Sequence, residues 1–239
     1  MSRSMQATDQ DLAWLGETRR LGFLGRLPDR LVSLLLRGAQ RIEYPVGTIG
    51  LRWDQAPRAA IVLSGTLRAY ISYADGSQVT TRYLRAGDMT GAYAPRSPSL
   101  ARGVQALERS ELLLIDHARM KDVALAEPMV AWALVEEMTT VLVQNQRALC
   151  IRAFGSVRQR VVTAIVDRAT AAGQLKAGSK VPGTQQELAT AVGSVREVVA
   201  ATLGAMKHEG LIDVRRGAIV ILDPGRLARE AESVVGASA

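Results

Sequence analysis

Two Ser/Thr-x-x-Glu pairs, Thr184-Gln-Gln-Glu187 and Ser194-Val-Arg-Glu197, follow one another with Gly193 between them. Each has the form of a capping box, in which the hydroxyl accepts a hydrogen bond from the third helical N–H and the carboxylate returns one to the cap. Gly193 accepts the left-handed backbone of a tight turn at little cost. Leu188, Ala189 and Val192 give the first helix an apolar face, and Val198, Val199, Leu203 and Met206 give one to the second. His208-Glu209-Gly210 closes the second helix. Residues 211–214 and 218–222 then read as two strands around Arg215-Arg216-Gly217. A short helix, a glycine turn, a second helix and a basic hairpin form a winged helix-turn-helix.

That constellation has a definite chemistry. A guanidinium is a rigid fork of donors, suited to phosphate oxygens or to the O6/N7 edge of guanine. The second helix is expected to enter a DNA major groove and present Ser194, Val195, Arg196, Glu197 and Ala200 to base edges. Arg196 can pair with a guanine. Glu197 has two competing duties, accepting from a cytosine amino group or completing its capping box. Thr184 and Gln185 are placed against the DNA backbone, and Arg215 and Arg216 at phosphate. The plainer alternatives are a solvated turn for the two wing arginines and a helical hairpin with no DNA role.

Composition agrees with an anionic partner. The 239-residue chain carries a formal net charge of +7. Residues 152–222 hold 10 Lys/Arg against 5 Asp/Glu, whereas residues 1–151 hold 18 against 15. The excess charge is thus concentrated toward the C-terminal third, although basicity alone does not choose between nucleic acid and a membrane surface. Hydrophobic residues at 48% and charged residues at 22% are ordinary for a globular protein. No apolar run approaches the roughly 18–20 residues of a membrane span. The N-terminus has no apolar signal region, so a cytoplasmic location and no membrane partner are expected.

Upstream of the motif, three further sections position it. Residues 1–40 read as a helical lead-in. Residues 41–118 hold short apolar runs, 59–63, 66–73, 78–84, 104–107 and 111–115, separated by Ser64-Gly65, Asp75-Gly76 and Gly87-Asp88. Many short strands with such punctuation indicate an antiparallel sandwich or barrel. Residues 128–153 form the longest helical pattern, in which Val135, Met138, Leu142, Asn145 and Leu149 recur as a seam. Leu134, Val141 and Ala148 make a second line. A wide stripe of this kind fits a helix packed on its own domain, or one packed on both that domain and a twin. The second is favoured, with Asn145 fixing register. Phe154-Gly155-Ser156 makes a hinge, and 173–183 reads as a loop. The domains are accordingly 1–127, 128–153 and 154–239.

At this point the sequence resembles the Crp/Fnr family of transcription regulators. The resemblance runs from about residue 25 to 225 and is strongest over Thr184 to Ile212. A second portion is Leu63-Ser-Gly-Thr-Leu-Arg-Ala-Tyr70 with Leu84-Arg-Ala-Gly-Asp-Met-Thr-Gly91. It implies an α+β fold with an N-terminal cyclic-nucleotide-binding-like β-roll, a long dimerisation helix and a C-terminal winged helix-turn-helix. The implied partners are a double-stranded, near-palindromic DNA operator, a second copy of the chain and, for an activator, RNA polymerase.

The implied effector pocket departs from the family pattern. Cyclic-nucleotide-binding members use a Gly-Glu-Leu step for the ribose, and here the sequence reads Gly91-Ala92-Tyr93, without the carboxylate. Their Arg-Ser step for the phosphate reads Arg102-Gly103, keeping the cation and losing the hydroxyl. Asn145 and Gln146 match positions that can touch the base. Cyclic AMP is therefore not expected, and a different anion held by Arg102 and Arg96, or no small ligand, remains open. The recognition helix departs too, with Ala201 where some relatives carry a second guanine-reading arginine.

No cofactor is expected. Residues 1–149 hold no Cys for an iron–sulfur cluster, and nothing places His117, Cys150 or a Met as a haem ligand. His117 reads as a surface residue and Cys150 as a small buried or interface residue, with redox sensing a further option. Besides an effector-modulated regulator, two readings compete: a constitutive DNA-binding regulator with a vestigial pocket, and a cupin-type β-roll enzyme with an accessory DNA-binding domain. The enzyme reading lacks the several His such a metal site needs, so no enzymatic activity is expected.

Overall fold

The computed structural model describes residues 12–50, 58–74, 76, 78–91 and 101–233. A 3-10 helix, Ala13–Arg20, leads into two short helices, α1 Gly22–Gly25 and α2 Asp29–Leu36. Among the described residues eight strands follow: β1 Gln40–Tyr44, β2 Ile49–Gly50, β3 Arg58–Ser64, β4 Leu67–Ser72, β5 Gln78–Leu84, β6 Met89–Thr90, β7 Ala101–Ala106 and β8 Ser110–Asp116. They form two four-stranded sheets, ordered β1-β8-β3-β6 and β2-β7-β4-β5. The turn residue Asp75 and pocket residues Ala92 and Arg96 lie outside the described residues.

The unbroken apolar run of β3 follows from burial on both faces, because strand side chains alternate with a period of two. Ala60 and Val62 point into the core between the sheets, with Leu112 and Leu114 of β8. Ala59 and Ile61, with Leu113 and Ile115, point the other way, onto Phe23, Leu24 and Leu35 of the leading helices. β1, β2 and β6 lacked a clear signal in the sequence. β2 and β6 are only two residues long and owe their form to their neighbours, Gln105 and Val104 for β2 and Ala60 and Ile61 for β6. Where the leading helices meet the sheet, a Cβ on Gly22 would lie 2.0 Å from the Gly87 carbonyl oxygen, at a φ of +51°. Only glycine fits that approach.

Helix α3, His117–Ala126, begins under an Asp116 cap and leads into α4, Pro128–Phe154. The α4 helix has two distinct faces. Val130 and Ala133 are buried in the core of the β-roll section, and Glu137 accepts a 2.7 Å hydrogen bond from Arg26. Val135, Met138, Leu142, Asn145 and Leu149 are all exposed. Leu134, Val141 and Ala148 are half-buried along the edge.

Beyond Gly155 come α5 Val157–Ala171, β9 Lys180–Pro182, α6 Gln185–Val192, α7 Arg196–His208, β10 Ile212–Arg215, β11 Ala218–Ile221 and α8 Pro224–Glu232. Ser156 caps α5 through a capping box with Gln159, which accounts for the restart after the break. The segment 173–183 is not wholly a loop. Lys180–Pro182 pairs with β11 and makes the wing sheet three-stranded, in the order β10-β11-β9. Val162, Ile165, Val199, Leu203, Met206 and Leu227 share one core here. The chain divides into two units, Met1–Ala69 with Leu84–Leu142, and Tyr70–Tyr83 with Val143–Ala239. No single helix among the described residues is long and apolar enough to cross a membrane.

Candidate nucleic-acid interface

The first capping box forms. Glu187 N–H donates to Thr184 Oγ1 at 3.1 Å, and Thr184 N–H donates to Glu187 Oε2 at 2.7 Å. Leu188, Ala189 and Val192 are buried, as their spacing predicts. Gly193 ends α6 in the left-handed region (φ 64°, ψ 51°), and Ser194 N–H reaches back to the Ala189 carbonyl at 3.0 Å. The turn carries α7 away at 106° to α6, inside the range of helix-turn-helix units.

The second capping box does not form. The cap of α7 is Val195, with extended backbone and no side-chain hydrogen bond. Glu197 is therefore the second helical residue rather than the third, one position too early to close a box with Ser194. The tight turn spends Ser194 on α6, which pushes the helix start one residue on. Glu197 has no capping duty and stands exposed at the positive end of the α7 dipole. Val198 also departs from expectation. Val199, Leu203 and Met206 fill the buried stripe, and Val198, one residue round the helix, is 42% exposed beside exposed Val195.

A groove of about 460 Å³ opens between the start of α6, α7 and the wing. Thr184, Gln185, Arg196, Arg215 and Arg216, five of the positions singled out by sequence, line it together. Gln186 joins them and was not foreseen, while Leu203 contributes to the apolar lining. Ser194, Val195, Glu197 and Ala200 lie outside this lining, on the turn and outer side of α7. That side is short of side chains, since Ala201 and Gly204 are exposed and Ala200 is half-buried. Gly217 holds the wing tip at a φ of +73°, and its carbonyl accepts from Gly183 N–H at 2.8 Å, tying wing to helix start.

Two further arginines hold the turn from behind. Arg160 donates to the carbonyls of Val192 (2.9 Å) and Gly193 (3.3 Å). Arg152 donates to Ala191 O at 3.1 Å and to Thr80 O at 2.5 Å. Both therefore sit at the negative end of the α6 dipole. Burial, and then the nearby Arg160 charge, push the Arg152 guanidinium below its usual range. No local sequence pattern marks this role, because each arginine reaches α6 across the tertiary fold.

Arg158 locks α5 to the end of α7 and to α8. It donates to both Glu209 oxygens at 2.6 and 2.7 Å, and to Glu230 at 2.6 and 3.2 Å. The hydrogen bonds from Arg158 hold the Glu209 carboxyl below its ordinary value of 4.5. A depressed carboxyl stabilises the fold above its unfolded pKa and loses that contribution as pH falls through the folded value. The Tm of the wild-type chain is accordingly expected to drop as pH falls below about 4.5. Arg158→Gln should have a lower Tm at neutral pH and a shallower acid decline. Melting curves over a pH series check this, and parallel declines in both chains would refute it.

The effector positions fall in both units. Gly91, Arg102 and Gly103 belong to the first, and Asn145 and Gln146, both exposed, to the second. Arg102 is half-buried and Gly103 buried on β7. His117 is not a bare surface residue. It is half-buried at the start of α3, with Nε2 2.7 Å from the Gly91 carbonyl oxygen. Cys150 is exposed on α4 rather than buried. Among the described residues, no group of three or more His, Cys, Asp or Glu converges as a metal site.

Residues 42–127 match the cyclic nucleotide-binding domain, and residues 159–230 match the Crp-like helix-turn-helix domain. The chain belongs to the Crp/Fnr family. This Crp/Fnr member is 24% identical to the cAMP-activated global transcriptional regulator Vfr of Pseudomonas aeruginosa, over 78% of this chain and 91% of that one. It is 26% identical to the transcriptional regulator LdrP of Thermus thermophilus, over 80% and 96% of the two chains. A solved Crp/Fnr regulator from Eubacterium rectale shares the fold with a TM-score of 0.71 and 24% identity, over 87% and 96%. As a Crp/Fnr protein the chain is a DNA-binding transcription regulator, and its relatives are regulators rather than enzymes.

Proposed function

We propose that the chain acts as a homodimer in the cytoplasm, binding a near-palindromic operator and responding to an effector other than cyclic AMP. The observation that carries the dimer is the exposed seam of α4. Leu142 and Leu149 are 56% and 66% exposed, on a face separate from the one that Val130 and Ala133 bury. Large apolar side chains at seam spacing find a matching surface in a second copy. Two copies would present their α7 helices roughly 34 Å apart, one turn of DNA. In each, Arg196 and Glu197 would read bases while Thr184, Gln185, Arg215 and Arg216 hold the backbone. Contact with RNA polymerase belongs to the activating form of this reading.

For the effector, Ala92 in place of a carboxylate removes the acceptor for a ribose hydroxyl, and Gly103 removes a hydroxyl at the phosphate. Arg102 keeps the site cationic, which favours a different anion. The test is selection of genomic fragments by the purified apo protein at a fixed, stated salt concentration, since affinity here depends on salt. Two inverted half-sites are expected, with strength or abundance altered by cell extract but not by cyclic AMP. A single unpaired half-site would overturn the dimer reading. Sharpening by cyclic AMP alone would overturn the effector reading.

A further inference from the structure

The two wing arginines differ in their surroundings. Asp213 and Arg215 lie two residues apart on β10 and so share one face of the strand. Arg215 Nε is 3.2 Å from Asp213 Oδ2, while Lys207 Nζ, from the last turn of α7, is 2.8 Å from Asp213 Oδ1. One carboxylate thus uses both oxygens to hold two cations. Arg216, the next residue, lines the same groove and has no ion pair with any described residue. Lys207 and Arg215 hold the Asp213 carboxyl below its usual range, so it is charged at neutral pH.

We propose that Asp213 sets the DNA specificity of the wing by holding Arg215 back from phosphate. The inference rests on the DNA-binding reading of the groove. A phosphate at the wing must compete with a carboxylate for Arg215, and it also meets the negative charge of Asp213. An exposed pair of this kind is weak and tradeable. A phosphate held in register by the remaining contacts can displace Asp213, and a loosely placed one cannot. Of the two arginines at its tip, the wing then offers Arg216 to arbitrary DNA and both to the operator. Repulsion aimed at the wrong complex raises the ratio of specific to non-specific binding.

The test is Asp213→Asn, which keeps shape and removes charge. Binding to a labelled mixed-sequence duplex is followed by fluorescence anisotropy over a salt series. Each phosphate neutralised on duplex DNA steepens the log–log salt slope by about 0.9. Asp213→Asn is expected to steepen the slope by about that amount and to bind several-fold tighter in moderate salt. Asp213→Ser should do the same. Adding Arg215→Ala in the Asp213→Asn background should cancel that gain. A slope equal to or shallower than wild type in both Asp213 variants would overturn the proposal. A wild-type chain that binds no duplex even at low salt would overturn the DNA-binding reading as well, which separates the two failures.

Discussion

Leu142→Glu is expected to convert the chain into a monomer in sedimentation equilibrium and to weaken operator binding by about 10²–10⁴-fold. Leu142 is central in the exposed seam of α4 and belongs to none of the buried cores. Burying an apolar side chain of this size is worth roughly 1.5–3 kcal/mol. A two-fold interface counts every substitution twice, and it would set two carboxylates against one another in place of two leucines. The fold of each copy should persist, because α4 docks on its own domain through Val130 and Ala133. The affinity loss follows from geometry. Two linked α7 helices bind their second half-site as an intramolecular event, and a monomer has no such advantage. A Leu142→Glu chain that still sediments as a dimer would sink the seam as the interface.

The second large effect is expected for Arg196→Ala. Arg196 stands exposed at the first position of α7 and lines the groove with Thr184, Gln185 and the wing arginines. A bidentate arginine–guanine pair discriminates by about 1–3 kcal/mol, roughly 5- to 150-fold per half-site. Affinity for a selected operator of two half-sites should fall by about twice that free energy, roughly 25- to 2 × 10⁴-fold, while affinity for mixed-sequence DNA changes far less. Repeating the selection with the variant should relax one position in each half-site. An equal fall on both kinds of DNA would make Arg196 a phosphate contact instead. The exposed Ala201 and Gly204 sharpen this expectation, because past its first turn α7 offers little but backbone and methyl groups to the groove.

The helix-turn-helix was legible because its signals are local. Thr184, Glu187 and Gly193 specify a cap, a box and a left-handed stop within a few residues, and the apolar spacing of Val199, Leu203 and Met206 follows from the helical period alone. The same local logic failed at Ser194. Its residue type is right for a cap, but the turn geometry needed by α6 moved the start of α7 to Val195. Val198 failed for a related reason: apolar type does not fix which residue of an adjacent pair faces inward.

The apolar stripe of α4 was legible from spacing. Its separation from the face that docks on the β-roll core was decided by the tertiary structure, since acidic Glu137 is buried against Arg26. The short strands β2 and β6 and the wing strand β9 exist only through pairing with distant partners, so their own residues carry little sign of them. The cationic groups show the divide most clearly. Sequence singled out Arg196, Arg215 and Arg216 by guanidinium chemistry and motif position, and the fold lines one groove with all three. Which arginines are free and which are held was decided by contacts in the folded chain, most of them between distant segments. Arg158 is held by Glu209 and Glu230, Arg160 by the end of α6, and Arg215 by an Asp213 that Lys207 anchors. Hydrogen bonds and ion pairs act over a few ångströms in space, so only the folded chain sets them.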